Sequence, residues 1–245
     1  MASLLDRIAR RISPIRVQPK FPGAIDSYPS TLLSIDQHAP PPRRLIDLTF
    51  KAVYAAMDEV NLDHLRRERA SVPEWFSIWP GEHYLLLAAL VKVMQPRVAI
   101  EIGTDSGLSA LCMKQYLPAD GRIVTFDLIP WQQVDGKDLV ESDFADGRLE
   151  QRLVDLGDPA KFEANRELIA SAELFFIDGP KNVTFEESLM RQLATVNFAK
   201  PPILMFDDTR LPSMLKFWRE LTYPKLDLTS FGHWSGTGLV ELAGA

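Results

Sequence analysis

The chain of 245 residues is 46% hydrophobic and 24% charged, the make-up of an ordinary globular protein, and has no apolar run near the roughly 18 residues that spanning a bilayer requires. Its single cysteine, Cys112, excludes an internal disulfide framework and a multi-cysteine zinc site, which points to the cytoplasm. A net charge of −6 argues against a nucleic-acid binder, whose affinity would rest on a basic face, and favours a small-molecule partner.

The N-terminus runs against the overall charge. Arg7, Arg10, Arg11, Arg16 and Lys20 face Asp6 alone, and Leu4, Leu5, Ile8 and Ile12 recur between them at helical spacing. There is no long apolar stretch of the secretory kind, so the segment reads as a basic amphipathic helix. Such a helix suits docking on its own or a neighbouring subunit, or peripheral contact with an anionic membrane. Prolines at 14, 19, 22, 29 and 40–42 then resist regular structure and define an extended arm, consistent with a homo-oligomer in which arms cross between subunits. Apolar spacing predicts helices over 43–70 and from Gly81 to Met94. The expected division is a helical and proline-rich extension over 1–80 and a core domain over 81–245.

From Arg97 onward, short apolar runs alternate with helical stretches, the pattern of βαβ units on a parallel sheet. Strands are expected at 97–102, 122–127, 149–154, 173–178 and 202–207, with helices near 107–117, 159–170 and 182–196 and a further segment around 137–146. Two more strands, near 225–231 and 237–243, complete a doubly wound, mostly parallel seven-stranded α/β sheet.

In such sheets ligands bind beyond the carboxyl ends of the strands. Those ends carry Glu101, Asp127, Asp155, Asp178 and the pair Asp207-Asp208. After the first strand, Gly103 and Gly107 frame a tight turn into the next helix, with Thr104, Asp105 and Ser106 between them. A dinucleotide loop has a middle glycine here that lets the chain approach a pyrophosphate. Asp105 would repel that group, so the loop suits a cationic cofactor better. A sulfonium ligand with an amino-acid tail needs acceptors for its ammonium, which Glu101 or Asp105 offers directly or through water. Asp127, 26 positions after Glu101, stands where a carboxylate accepts ribose hydroxyls.

The run Val98-Ala-Ile-Glu-Ile-Gly-Thr-Asp-Ser-Gly107, followed by Asp127, resembles the first two motifs of class I S-adenosylmethionine-dependent methyltransferases, and the similarity extends from about Gly81 to Leu242. The resemblance implies a Rossmann-like sheet with an antiparallel last strand. It places the methionine part of the cofactor on Gly103 and its loop neighbours Thr104, Ser106 and Gly107, the ribose on Asp127, and the adenine on Asp155 beside Leu156 or Gly157. Asp178, adjacent to the transferred methyl group, completes these contacts.

Asp178, Asp207 and Asp208 end adjacent strands, and three carboxylates around one small volume need a cation. Oxygen ligands without nearby histidine or cysteine favour a hard ion, magnesium first, then manganese or calcium. The same region resembles the metal-dependent catechol and macrocin O-methyltransferase groups, whose ligands are an Asp after the fourth strand and an Asp-Asp or Asp-Asn pair after the fifth. In the catechol group a lysine three residues beyond the first ligand is the base, and Lys181 in Asp178-Gly-Pro-Lys181 matches it. His233, between the last two strands, is a second candidate for catalysis. Trp75, Phe76, Trp79 and Tyr84 are candidates for an acceptor wall or for core, and Glu82 and His83 for cofactor contacts.

The expected activity is a divalent-metal-assisted transfer of methyl from S-adenosylmethionine to a hydroxyl of a phenol, catechol or natural-product sugar. The competing readings are an NAD-dependent oxidoreductase, which would also use Asp127, and a non-catalytic binding module of the same fold. A metal-dependent hydrolase would leave the glycine loop without a purpose.

Overall fold

The computed structural model describes residues 42–242. The basic helix and all but the last residue of the proline-rich arm lie outside them. Helices α1 (Arg43–Asp58), α2 (Asp63–Glu68) and α3 (Tyr84–Met94) come first. Then follow β1 (Val98–Ile102), α4 (Leu108–Lys114), β2 (Arg122–Asp127), β3 (Leu149–Leu153), α5 (Pro159–Ala164), α6 (Arg166–Ser171) and β4 (Leu174–Ile177). The chain ends with α7 (Thr184–Leu193), β5 (Ile203–Asp207), α8 (Pro212–Glu220), β6 (Lys225–Asp227) and β7 (Thr237–Glu241).

The seven strands form one sheet in the order β3-β2-β1-β4-β5-β7-β6. The first five are mutually parallel, and β7 runs antiparallel to β5 and β6. Order reverses between β1 and β4, where a crevice opens above the strand ends. Strand side chains alternate between two apolar layers: Leu174 and Phe176 of β4 join α1, α3 and α4 on one face, while Phe175 and Ile177 join α5, α7 and α8 on the other. Helix α3 is sealed between α1 and the sheet, with Leu86 to Val91 fully buried, which explains why its sequence is apolar around most of its circumference.

Three expected elements differ, each because a side chain competes for the backbone. Around 137–146 there is only a 3₁₀ turn, Glu141–Asp143; Asp143 accepts the Val140 amide at 2.8 Å and Arg69 Nη1 at 2.9 Å, closing the segment on itself. The helix expected over 159–170 is broken at Asn165, whose Nδ2 donates to the Lys161 carbonyl at 2.8 Å while its Oδ1 accepts from Arg152 at 2.7 Å. The strand expected over 225–231 stops at Asp227, whose carboxylate accepts the Thr229 amide and hydroxyl at 2.9 and 2.7 Å and starts a turn. Among the described residues no helix is long and apolar enough to cross a membrane.

Candidate active site

Above the β1–β4 switch lies a cavity of about 720 Å³ lined by Gly103, Asp105, Asp127, Asp155, Leu156, Gly157 and Asp178, with Phe126, Leu128, Ile129 and Phe185 as apolar walls. The glycine loop is shaped by close approach. Gly103 has φ +97°, and a Cβ there would stand 2.2 Å from the Asp178 carbonyl oxygen. No other residue type lets the loop lie against the end of β4. Gly107, at φ +91°, would drive a Cβ into Leu139 and so fixes the start of α4.

Asp127 does more than face the cavity. Its Oδ2 accepts the amides of Thr104 and Asp105 at 2.8 and 3.2 Å, and its Oδ1 those of Leu128 and Ile129 at 2.6 and 3.0 Å. One carboxylate thus pins the glycine loop to the loop after β2, and the four bonds use the roughly four lone-pair directions it has. Behind it, Gln151 Nε2 donates to Thr104 Oγ1 and to the Ile129 carbonyl, tying the same two loops again.

The other sequence candidates divide. Thr104 is buried behind the loop on Thr125, Ser106 turns away to accept the Asp138 amide through its carbonyl, and Glu101 is fully buried beneath the loop. None of the three lines the cavity. Burial pushes the Glu101 carboxyl up to about 8, with Ser109 and Thr125 opposing. Cavity residues that sequence reasoning missed, among them Asn182, Phe185, Ser188 and Arg191, come from α7 and its approach, whose helical pattern says nothing of which face meets a ligand.

Beyond Asp178 the cavity meets a dense group of charges. Lys181 Nζ lies 2.6 Å from Asp178 Oδ1 and 3.1 Å from Asp208 Oδ2. Burial works against the ammonium, but Asp178 and Asp207 outweigh it and hold Lys181 above the usual lysine value. Burial likewise raises Asp178, with Lys181 opposing. Asp207 is buried and turns the other way: His233 Nδ1 lies 3.0 and 3.1 Å from its two oxygens, and His83 Nδ1 3.5 Å from Oδ2. Burial would raise this carboxyl, but the hydrogen bond from His233 and the nearby His83 and Lys181 bring it below its ordinary value. His233 in turn is penalised by burial yet raised overall by Asp207.

The backbone here is held in left-handed conformations that non-glycine residues rarely adopt, at Lys181 (φ 54°), Val183 (φ 69°) and Asp208 (φ 60°). Such conformations persist because neighbours over-determine them; the Lys181 amide, for one, donates to the buried Glu186 carboxylate at 3.0 Å.

His83 and Glu82, expected at the cofactor, sit with this group instead. A two-residue bridge carries them there: the Gly81 amide donates to the Gly232 carbonyl at 3.1 Å and the Trp234 amide to the Gly81 carbonyl at 3.0 Å. Trp79 Nε1 reinforces it with a 2.6 Å bond to the Phe231 carbonyl. Phe76 is core, whereas Trp75 is 43% exposed. The meeting of residues 81–83 with 231–234 has no local sequence signal.

The sheet order, antiparallel last strand and switch-point cavity are those of the class I S-adenosylmethionine-dependent methyltransferase fold. Two solved structures align with it. An O-methyltransferase from Bacillus cereus in complex with SAH has a TM-score of 0.52 at 17% identity, covering 81% of this chain and 100% of that one. TomG, an O-methyltransferase of Streptomyces achromogenes involved in tomaymycin synthesis and solved with SAM, has 0.51 at 18% identity, covering 80% and 96%. At these identities the likeness concerns the fold. Residues 52–196, more than half of the chain, match the model of the family described as O-methyltransferase, and the protein belongs to that family.

Proposed function

We propose that this protein transfers the methyl group of S-adenosylmethionine to a hydroxyl of a small molecule, with the cofactor in the 720 Å³ cavity and the acceptor at the charged group beyond Asp178. The observation that carries this reading is their continuity: Asp178 lines the cavity and at the same time holds Lys181. The donor set fits the cofactor. Asp105 and Asp178 offer carboxylates to a cationic amino-acid end, Asp127 lines the cavity and with its four amides holds the two loops that would flank the ribose, and Phe126, Ile129, Leu156 and Phe185 supply an apolar slot beside Asp155. When bound, S-adenosylmethionine supplies an electrophilic methyl on a positively charged sulfur.

The chain must then orient the acceptor oxygen in line with that methyl and remove its proton. Lys181, positioned by Asp178 and Asp208 at the end of the cavity, is the proton acceptor in this reading once it has lost its own proton, which those carboxylates oppose and a divalent ion neutralising them would favour. His233 is not, since its Nδ1 is spent on Asp207 and its Nε2 faces Glu82 at 3.7 Å. The carboxylates of Asp178, Asp207 and Asp208 lie within 4.8 Å of one another, a spacing that fits a divalent ion with oxygen ligands, although Lys181 already bridges two of them. Such an ion would lower the pKa of a bound hydroxyl.

Calorimetry with S-adenosylmethionine, S-adenosylhomocysteine and NAD, with and without magnesium, tests the cofactor. Binding of both sulfur nucleosides and not of NAD is expected, followed by turnover in a screen of phenols, catechols and glycosides. Binding of NAD alone would replace the reading with an oxidoreductase, and binding of none would leave a non-catalytic module.

A further inference from the structure

We infer that His83, Asp207 and His233 form a binding site for a nitrogen-preferring divalent transition ion such as Zn²⁺ or Co²⁺. The inference rests on the reading of these strand ends as a metal-assisted acceptor site, and moves the ion from an all-carboxylate seat to a mixed one.

The Lys181 ammonium already bridges Asp178 and Asp208, so a cation placed there has to displace it. Asp207 itself meets two imidazoles, and His233 Nδ1 also lies 3.7 Å from Asp208 Oδ1. His83 is 97% buried by its 3% exposure, and neither of its ring nitrogens has a hydrogen-bond partner. A buried polar atom left unpaired is costly, and His83 leaves two beside a carboxylate. A metal ion removes that cost for one nitrogen and takes up the negative charge of Asp207.

The spacing suits coordination. The three potential ligand atoms lie within 4.8 Å of one another, with 3.5 Å from His83 Nδ1 to Asp207 Oδ2 and 3.0 Å from His233 Nδ1 to the same oxygen. Ligands at roughly 2.0–2.1 Å around a tetrahedral ion are about 3.4 Å apart, so only small shifts are needed. Ser235 Oγ, 2.8 Å from His233 Nδ1, has to rotate away or join as a fourth ligand. Glu82 Oε2, 3.7 Å from His233 Nε2, supplies the outer carboxylate that commonly orients a ligating histidine. Two imidazoles and one carboxylate select Zn²⁺ or Co²⁺ over Mg²⁺, Ca²⁺ and Mn²⁺, which prefer oxygen. The ligands are brought together by the Gly81–His233 bridge and β5, so the site is built by the fold rather than by one loop.

The full-length protein, stripped with chelator and dialysed, is titrated with CoCl₂ and followed by visible absorption and by metal content after gel filtration. One Co²⁺ per chain is expected, with the visible bands of a nitrogen-containing site. His83→Ala and His233→Gln should each weaken binding by more than about ten-fold, and Asp178→Asn should leave it unchanged. Circular dichroism checks the fold of each variant, and His233→Gln, at a partly exposed position, carries the test if His83→Ala fails to fold. Absence of Co²⁺ binding, or binding that survives both histidine changes and is lost in Asp178→Asn, overturns the inference. Calorimetry with S-adenosylhomocysteine on the same samples separates the two readings. Cofactor binding without Co²⁺ binding defeats the histidine site alone, and Co²⁺ binding without cofactor binding defeats the methyltransferase reading alone.

Discussion

The two halves of the strand-end surface are built in different ways. The cavity half, over β1, β2 and β3, is organised by backbone: glycines permit close approach, and the carboxylate of Asp127 collects four amides. The acceptor half, over β4, β5 and β7, is organised by side chains, with Asp178, Lys181, Asp207, Asp208, His83 and His233 balancing one another at short range. A backbone-built site accommodates a fixed ligand, whereas a side-chain-built one changes its chemistry with single substitutions. Affinity for the cofactor and rate of transfer should therefore respond to different mutations.

The change that should break both halves at once is Gly103→Ala. Its Cβ would overlap the Asp178 carbonyl at the seam between them, at a φ that alanine resists. We expect a loss of about 3 kcal/mol or more in stability and no measurable S-adenosylhomocysteine binding, read by thermal unfolding and calorimetry. A melting temperature and an affinity equal to the wild type would show that the loop can rebuild.

Lys181→Met should break the acceptor half alone. Loss of a proton acceptor lowers kcat by about 10²- to 10⁴-fold, while cofactor affinity stays within about three-fold. If kcat holds and only KM rises, Lys181 is a substrate contact and not the base.

Asp127→Asn should do the reverse. The amide keeps the shape but removes charge and replaces one acceptor of the four backbone amides by a donor. Cofactor affinity should fall about ten-fold, or roughly 1–2 kcal/mol, with kcat at saturation little altered. An equal loss in kcat would mean that the two loops are coupled to the chemistry.

The last prediction concerns Glu101, where the effect is spread over pH. Its carboxyl is held near 8 in the folded protein against a usual 4.5, so the folded state keeps a proton that the unfolded chain releases. The stability this contributes is full below about pH 4.5 and is lost as pH rises through 8, at up to about 1.4 kcal/mol per pH unit. In Glu101→Gln the unfolding free energy between pH 5 and 8 should vary less steeply than in the wild type. Parallel curves would mean that the carboxyl is charged in the fold.

The legibility of the sequence follows the same division. Strands β1 to β5 and the glycine loop are local patterns, apolar runs ending in Glu101, Asp127, Asp155, Asp178 and Asp207, and they were readable in order. Their common placement over one cavity follows from the topology of parallel sheets. Helix 159–170 and strand 225–231 misread because Asn165 and Asp227 bond their own backbone, a choice that periodicity does not encode. The neighbours of Asp207 were harder. The expected set of Asp178, Asp207 and Asp208 had no histidine near it, whereas His83 and His233 meet Asp207 in the fold, and His83 was read with the cofactor because nothing local announces a bridge between Gly81 and His233.

That bridge also bears on how the molecule comes into being. Every residue lining the cavity lies between Ile102 and Arg191, a contiguous stretch that can form its contacts early as the chain emerges from the ribosome. The group around Asp207 needs Glu82 and His83 from before the sheet and His233 from its final hairpin, so it pays the closure of a long loop and waits for the last segment made. A nascent or truncated chain ending after α7 would hold the whole cavity lining together with Asp178 and Lys181, but would lack Asp207, Asp208 and His233.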